Sequence, residues 1–390
     1  MTVMRLTHIT IKNWRNFKQA DFDLQDRMLI IGPNASGKSN LLDALRFLGQ
    51  IASAGGGFQN AVDSRGGMAR LRCLAARYFN KGRVTLRITI GDDECPSRWA
   101  YEVTFTAEQR GKRRPIIYEE VVESDKRKVL TRPTDADRDD PERMTQTHLE
   151  QVNANREFRP IVDFLRSVRY LHLVPHLIRD PERGGDRIED PYGADFLLRI
   201  AETPERTRVR RLQRINEALR IAVPQLDELA LVQDKIGRWH LEARYKHWRP
   251  QPAVQNERDF SDGTLRLIGL LWSLFDVKKS GGPVLLEEPE LSLHSSVVRQ
   301  LPAILSRVRR AGGPQVLFTT HSNDVLADPG LGKDEVVILT PGEEGTEAHT
   351  ADAVPDIQVL LDSNLSLAEI LSPRTAPGAV QELPNRIAQR

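Results

Sequence analysis

Met28-Leu29-Ile30-Ile31-Gly32-Pro33-Asn34-Ala35-Ser36-Gly37-Lys38-Ser39-Asn40 is the stretch that decides the fold. Its four leading apolar residues predict a short buried strand. Beyond it, Leu41, Leu42, Leu45 and Leu48 recur at helical spacing. Between strand and helix, residues 32–39 match G-x-x-x-x-G-K-[ST] in full, in the context such a phosphate-binding loop requires. The chemistry is direct. Closely spaced backbone N–H groups at a helix N-terminus wrap a β-phosphate. Gly37 lets the loop turn without a side chain in the way. Lys38 brings positive charge to the β- and γ-phosphates, and Ser39 offers a hydroxyl to Mg²⁺. Gly32, Pro33, Asn34, Ala35, Ser36, Gly37, Lys38, Ser39 and Asn40 are therefore the candidate nucleotide-binding residues.

Around this loop lies a chain of 390 residues, 39% hydrophobic and 28% charged, with a mean hydropathy of -0.44. That composition suits a soluble, folded chain of one large domain or two to three smaller ones. The 56 Lys and Arg nearly balance 54 Asp and Glu, so the net charge of +2 says nothing about nucleic acid. Only local clusters do: the basic stretch 110–114, expected at a hairpin tip, and the arginines Arg206, Arg208, Arg210, Arg211, Arg214 and Arg220 on an expected helix. Each reads equally as a solvated charged surface. Cys73 and Cys95 belong to no ligand cluster and are expected to be reduced. The N-terminus lacks the pattern of a secretion signal. The most apolar run, Leu265 to Phe275, is broken by Arg266 and too short for a bilayer. A cytoplasmic chain that does not cross a membrane is expected.

Along the chain, residues 3–31 predict two or three strands. Residues 53–70, rich in Gly, predict a flexible or tightly turned segment. Alternation over 71–122 predicts an antiparallel sheet. The charged stretch 123–145 reads as a solvated loop, 157–171 as a helix and short strand, 205–222 as a helix, and 222–248 as short strands. Residues 179–191 and 249–258 read as polar connectors. A second α/β run follows: helix 265–275, strand 284–286, helix 295–309, strand 315–319 and strand 336–339. The tail from about 373 is expected to fray.

Three further motifs sit at the ends of these elements. Val284-Leu285-Leu286-Glu287-Glu288-Pro289-Glu290 is an apolar strand ending in adjacent carboxylates. Glu287 suits Mg²⁺, and Glu288 suits the general base that accepts a proton from an attacking water. Alone, the pair reads equally as a solvated acidic turn. Gln315-Val316-Leu317-Phe318-Thr319-Thr320-His321-Ser322 ends a second apolar strand. His321 there suits a γ-phosphate or lytic-water contact, or a plain surface role. In Phe260-Ser261-Asp262-Gly263-Thr264, Ser261 or Asp262 can cap a helix, and a helix N-terminus presenting Ser and Gly amides also binds phosphate.

In this order the motifs resemble the ABC-type ATPase heads of the SMC, RecF and Rad50 kind, with the nearest look to small bacterial ATPases of the AAA15/AAA21 or OLD-like group. Leu6 to Phe17, with Asn13-Trp14-Arg15-Asn16-Phe17, looks like the group's first strand and its N-[FW]-[RK]-x-F segment. Residues 32–39 look like Walker A, and Ser261-Asp262-Gly263-Thr264 like a variant ABC signature. Residues 285–290 with Leu293-His294 look like Walker B and the D-loop, and Thr319–Ser322 like the switch histidine segment. The resemblance implies an α/β P-loop NTPase of ABC ATPase type with an N-terminal antiparallel β subdomain and an inserted mixed or helical lobe. The expected division is 1–122, 123–258, 259–345 and a partly disordered 346–390.

It also implies ATP and Mg²⁺ as cofactors, with Lys38, Glu288 and His321 catalytic. Ser261, Asp262 and Gly263 of a second copy would cap the nucleotide in a homodimer. Glu287 stands where Asp is commoner in the wider class. Gln59 is the candidate glutamine-loop metal ligand beside Ser39 and Glu287. The chain has no sustained heptads for long coiled-coil arms. Two roles are open for the ATP-driven dimer: a switch acting with DNA or RNA in antiphage defence or genome maintenance, or a regulatory scaffold holding an effector protein from a neighbouring gene. A transporter motor would carry a Leu-Ser-Gly-Gly-Gln type signature, which is missing.

Overall fold

The computed structural model describes residues 4–75, 78–109, 111, 113–180, 190–246, 253–276, 281–363 and 365–375. Residues 181–189 and 249–252 of the connectors expected at 179–191 and 249–258, the tail beyond 375, and Arg110 and Lys112 of the basic stretch lie outside the described residues, and Ala253–Asn256 of the second connector is a strand. The chain forms two compact units, one of residues 1–169, 279–285 and 314–390, the other of 170–278 and 286–313.

In chain order the strands begin with β1 (Arg5–Trp14), β2 (Phe17–Asp23), β3 (Arg27–Ile31), β4 (Val84–Gly91), β5 (Trp99–Ala107), β6 (Pro115–Ser124), β7 (Arg127–Arg132) and β8 (Arg169–Leu171). The strands β9 (Leu226–Gln233), β10 (Trp239–Tyr245) and β11 (Ala253–Asn256) belong to the second unit. They are followed by β12 (Val284–Glu287), β13 (Val316–Thr319), β14 (Val336–Gly342) and β15 (Gly345–Thr350).

Two six-stranded sheets carry the strands of the first unit. One is antiparallel, in the order β2-β1-β4-β5-β6-β7. Its buried Ile9, Ile11, Leu86, Ile88, Val103 and Phe105 come from the alternation visible in the sequence. The other runs β15-β14-β3-β13-β12-β8. Here β3 lies between β13 and β14, parallel to both, with Ile30 opposite Thr319 and Val337. All five residues of β3 are buried, which is why the four after Arg27 form a continuous apolar run rather than an alternation. The helix Lys38–Ala52 leaves the end of β3 and buries Leu41, Leu42, Leu45, Phe47 and Leu48. Phe47 packs on Trp14 of β1 and Phe105 of β5, with ring centroids 5.2 and 5.4 Å apart, and Phe58 meets Phe105 at 5.3 Å. Each such pair adds about 0.5–1.5 kcal/mol beyond the area it buries. The helix is therefore fixed by aromatic packing well beyond its own propensity.

The structure departs from the sequence reading in several places. Residues 53–70 hold two short helices, Phe58–Asp63 and Met68–Leu71, whose Phe58, Ala61, Val62, Met68 and Leu71 are buried. The glycines there are turn positions, Gly57 at φ 96° and Gly66 at φ 83°. Residues 123–145 are not a solvated loop. They complete the antiparallel sheet and then enclose Arg132, which is wholly buried. Its guanidinium donates to Glu120 (3.0 Å), to both oxygens of Asp137 (3.0 and 3.1 Å) and to the carbonyls of Arg143 and Gln146. Burial pushes the Glu120 carboxyl up. Burial pushes Asp137 up as well, but the bonds from Arg132, Thr134 and Arg143 overcome it and hold Asp137 below the usual carboxylate range. The charges concealed a core. Ser295–Arg309, expected as one helix, is two, Ser295–Val298 and Leu301–Arg310. The strand β15 and the helices Pro355–Asp362 and Leu367–Thr375 were not expected.

In the second unit β11-β10-β9 form an antiparallel sheet. The helix Glu205–Ala222 sets Leu212, Ile215 and Leu219 into one core with Leu226, Leu229 and Leu241 of the sheet. Leu265, Ile268 and Trp272 of the helix Asp262–Asp276 join the same core. His240 bridges Glu257 (2.8 Å) and Asp234 (3.3 Å), and the bond to Glu257 raises its pKa against the opposing effect of burial. No helix among the described residues is long and apolar enough to cross a membrane.

Candidate functional site

The loop after β3 has the geometry of an anion cradle. Gly32 adopts φ 153°, and a Cβ there would lie 2.6 Å from the Leu339 carbonyl of β14. Ala35 is left-handed at φ 63°. Gly37, at φ 98° and ψ 20°, is the N-cap residue of the helix Lys38–Ala52, and no side chain caps that helix. Its first turn carries no acidic residue. The amides at the start of the helix thus face the loop with the positive end of the helix dipole and no competing carboxylate. Lys38 folds back over the loop, its Nζ donating to the carbonyls of Gly32 (2.9 Å) and Pro33 (3.0 Å). The Ser36 hydroxyl is buried without a hydrogen-bond partner. An uncapped helix start, an inturned lysine and an orphaned hydroxyl fit a phosphate chain. Asn34, Ala35 and Ser39 are exposed. Asn40 turns its amide to Asn16 (2.8 Å).

Beside β3, the Thr320 N–H donates to the Ile30 carbonyl (3.2 Å), so the end of β13 runs next to the start of the loop. Thr319 and Thr320 are buried, and His321 follows them, exposed. This is the carboxyl edge of a parallel sheet, where ligands of such sheets bind. Gln59 lies in the helix Phe58–Asp63. Its amide donates to the carbonyls of Pro115 (2.9 Å) and Thr145 (2.7 Å), an anchoring role that the sequence did not suggest.

The remaining candidates sit in the second unit. Glu287 ends β12, and Glu288 follows at φ 44°. The Tyr170 hydroxyl donates to Glu287, and His172 Nδ1 lies 3.9 Å from the same carboxylate. Ser261 caps the helix Asp262–Asp276 by accepting from the Thr264 N–H (3.2 Å). Gly263 packs so closely that a Cβ would stand 2.4 Å from the Ser292 carbonyl. Arg179 holds this turn, donating to the Phe260 carbonyl (2.6 Å) and the Asp262 carboxylate (2.7 Å). Arg266 is lowered by burial, against the charges of Asp262, Glu288 and Glu290. Tyr170 and Arg179 went unnoticed in the sequence because neither belongs to a motif.

Among the described residues no group of three or more His, Cys, Asp and Glu could hold a metal by itself. Mg²⁺ is commonly held by one or two protein oxygens together with substrate phosphates, and the Ser39 hydroxyl and Glu287 carboxylate are oxygen donors of that kind. The arginine face is largely engaged within its own unit. Arg211 pairs with Asp276 (2.5 Å) and Arg220 with Asp227 (2.9 Å), while Arg208 and Arg214 lie over Trp239 and Phe275. Arg206 and Arg210 are exposed. At the other basic stretch, Arg114 pairs with Glu108 and Glu142.

Residues 27–328 match the AAA_21 family model, described as "AAA domain, putative AbiEii toxin, Type IV TA system". Shorter stretches are similar to curated proteins. One is 49% identical over 45 residues to the endonuclease GajA of Bacillus cereus (strain VD045), spanning 12% of this chain and 8% of that protein. Another is 33% identical over 82 residues to the DNA replication and repair protein RecF of Leptospira interrogans, spanning 21% and 20%. A third is 48% identical over 46 residues to RecF of Lactobacillus acidophilus, 12% of each chain. In fold, the chain is similar to an SMC head bound to the C-winged helix domain of ScpA, with TM-score 0.50 and 12% identity over 88% of this chain and 97% of that one. It is also similar to the Smc head domain with an extended coiled coil bound to the C-terminal domain of ScpA, derived from Pyrococcus furiosus (TM-score 0.52, 10% identity, 93% and 100% covered). Matched over residues 27–328 and sharing the SMC head fold, the chain belongs to the AAA_21 family of ABC-ATPase-like domains.

Proposed function

We propose that this chain binds and hydrolyses ATP, and that ATP joins two copies of it head to tail. The observation that carries the reading is the turn Gly32–Ser39, with its uncapped helix start and Lys38 folded over it. Lys38 and the loop amides would hold the β- and γ-phosphates, and the Ser39 hydroxyl with Glu287 would hold Mg²⁺. When bound, Mg²⁺ would supply charge neutralisation at the phosphates. Glu288 accepts the proton of the attacking water, and His321 orients that water or the γ-phosphate. One open loop leaves a triphosphate half exposed. The helix start at Ser261-Asp262-Gly263 of a second copy supplies further donors and excludes water. ATP then acts as a reversible bond between subunits, and hydrolysis releases it.

The names of its relatives favour a nucleic-acid-linked role for this switch, in antiphage defence or genome maintenance. GajA is an endonuclease and RecF a DNA replication and repair protein. A second reading is a scaffold that holds a separate effector protein. It is favoured by the engagement of Arg208, Arg211, Arg214 and Arg220 within the unit, which leaves few arginines for phosphates. The similar SMC heads bound to ScpA domains point the same way.

The test is native mass measurement of Glu288→Gln with and without ATP. A dimer only with ATP is expected. A monomer in both conditions, with nucleotide still bound, overturns the composite site. Salt-sensitive DNA binding that weakens when Arg206 and Arg210 are reversed to Glu selects the first role. Co-purification of a protein that ATP hydrolysis releases selects the second.

A further inference from the structure

We infer that Asn16 is a positioning residue for the phosphate loop, setting the direction of the Gly37 N–H; the inference rests on the ATP reading of that loop. Asn16 stands in the turn between β1 and β2, twenty residues before the loop it touches. Its Nδ2 donates to the Ser36 carbonyl (2.7 Å) and to the Thr346 hydroxyl of β15 (2.6 Å). Its Oδ1 accepts from the Asn40 amide (2.8 Å). Its backbone carbonyl accepts from the Thr346 N–H (2.7 Å). One neutral side chain thus joins three segments far apart in sequence: the β1–β2 turn, the loop with its helix, and the β14–β15 hairpin.

The stereochemistry explains why this matters. In a trans peptide the C=O and the next N–H point in opposite directions. Holding the Ser36 carbonyl outward, on Asn16, turns the Gly37 N–H the other way. Asn16 has little room to do anything else. A Cβ on Gly37 would lie 2.0 Å from Asn16 Nδ2, and one on Gly345 would lie 2.6 Å from the Asn16 carbonyl. Its neighbours secure the same helix turn. Trp14 Nε1 donates to the Asn40 carbonyl (2.9 Å), and Arg15 donates to Asp43 (3.3 Å). An amide is the chemistry this position needs, because it must both donate to a carbonyl and accept from an amide. Aspartate has the same shape but would set a carboxylate against the Ser36 carbonyl.

The experiment compares the wild-type chain with N16A, N16D and T346V. Thr346 touches Asn16 but is not part of the loop, so T346V reports transmitted positioning in a fold with the loop sequence intact. The dissociation constant for ATP is expected to rise about tenfold in N16A, the worth of one buried hydrogen bond. It should rise further in N16D, and about two- to threefold in T346V. Turnover at saturating ATP should stay within about threefold, since the Asn16 side chain bonds Ser36, Thr346 and Asn40 and none of Lys38, Glu288 and His321; affinity and turnover should therefore separate. Hydrogen exchange without nucleotide should quicken over residues 32–40 in N16A and N16D, and not over β5 and β6. ATP affinity within twofold of wild type in both Asn16 variants, with unchanged exchange over 32–40, overturns the inference. If the wild-type chain holds no nucleotide, the ATP reading falls, and the exchange comparison alone decides whether Asn16 sets the loop.

Discussion

Replacing Gly37 with alanine tests the loop where its geometry is least forgiving. The residue sits at φ 98° and ψ 20°, a region that side chains rarely adopt. A non-glycine residue held there costs about 1–3 kcal/mol. The new methyl would also lie 2.0 Å from Asn16 Nδ2 and 2.4 Å from its Oδ1. Moving Asn16 away breaks its bonds to Ser36 and Thr346, at about 1 kcal/mol each. Together the terms come to about 3–5 kcal/mol. In a unit of this size each kcal/mol lowers the melting temperature by about 2–4 °C, so a fall of about 6–20 °C in the first transition is expected. If the loop instead relaxes by turning its peptides, stability recovers, but the amides lose their aim. ATP affinity then falls by a factor on the order of a hundred, equivalent to about 2.7 kcal/mol. Thermal unfolding and titration calorimetry separate the two routes. The double variant G37A/N16G removes the clash but neither the strain nor the loss of the Asn16 bonds, so its melting temperature should stay close to that of G37A. A G37A chain that melts within 2 °C of wild type, on the order of 1 kcal/mol, and binds ATP within threefold would refute the reasoning.

Three further predictions concern the rest of the molecule. Arg132→Met leaves Glu120 and Asp137 buried without their cation and should cost about 3–5 kcal/mol in denaturant unfolding of the first unit, with no loss of ATP affinity in the fraction that folds. Arg179→Met frees the Ser261–Gly263 turn; in a Glu288→Gln chain it should weaken ATP-dependent dimers about tenfold, the equivalent of one charge-assisted bond, while single chains bind ATP unchanged. His240 has its pKa raised in the fold, so the stability it contributes is complete below about pH 6.5 and is lost as pH rises through the folded value. The melting temperature of the second unit should therefore fall as pH rises above about 6.5, and His240→Gln should flatten that slope.

The loop and its flanking elements were legible because local signals agreed. A four-residue apolar run, a glycine pattern and a helical repeat all point to one structure. The strand ends carrying Glu287 and His321 were legible for the same reason. What the sequence concealed was mostly long-range. Arg132 reads as a surface charge until Glu120 and Asp137 are seen around it. The arginines of 206–220 read as a binding face until Trp239, Phe275 and Asp276 take them up. Gly55-Gly56-Gly57 drew the eye from Phe58, Ala61 and Val62, whose helical spacing was the better signal. Asn16 stood inside a quoted motif yet suggested no role, since an uncharged amide gives no hint of its partners. Gln59 shows the converse: the resemblance suggested a metal-ligating glutamine there, and its side-chain amide bonds to two backbone carbonyls.

The position of β3 between β13 and β14 bears on how the protein is made. The strand that launches the phosphate loop is complete by residue 31, but both of its hydrogen-bonding neighbours come after residue 315. A nascent chain stalled before then carries the whole glycine motif with nothing to hold its strand in a sheet. Nucleotide capture should therefore wait until the residues of β13 and β14 have been made, and a translation product truncated before them should be unable to sequester ATP or to pair unproductively with finished subunits.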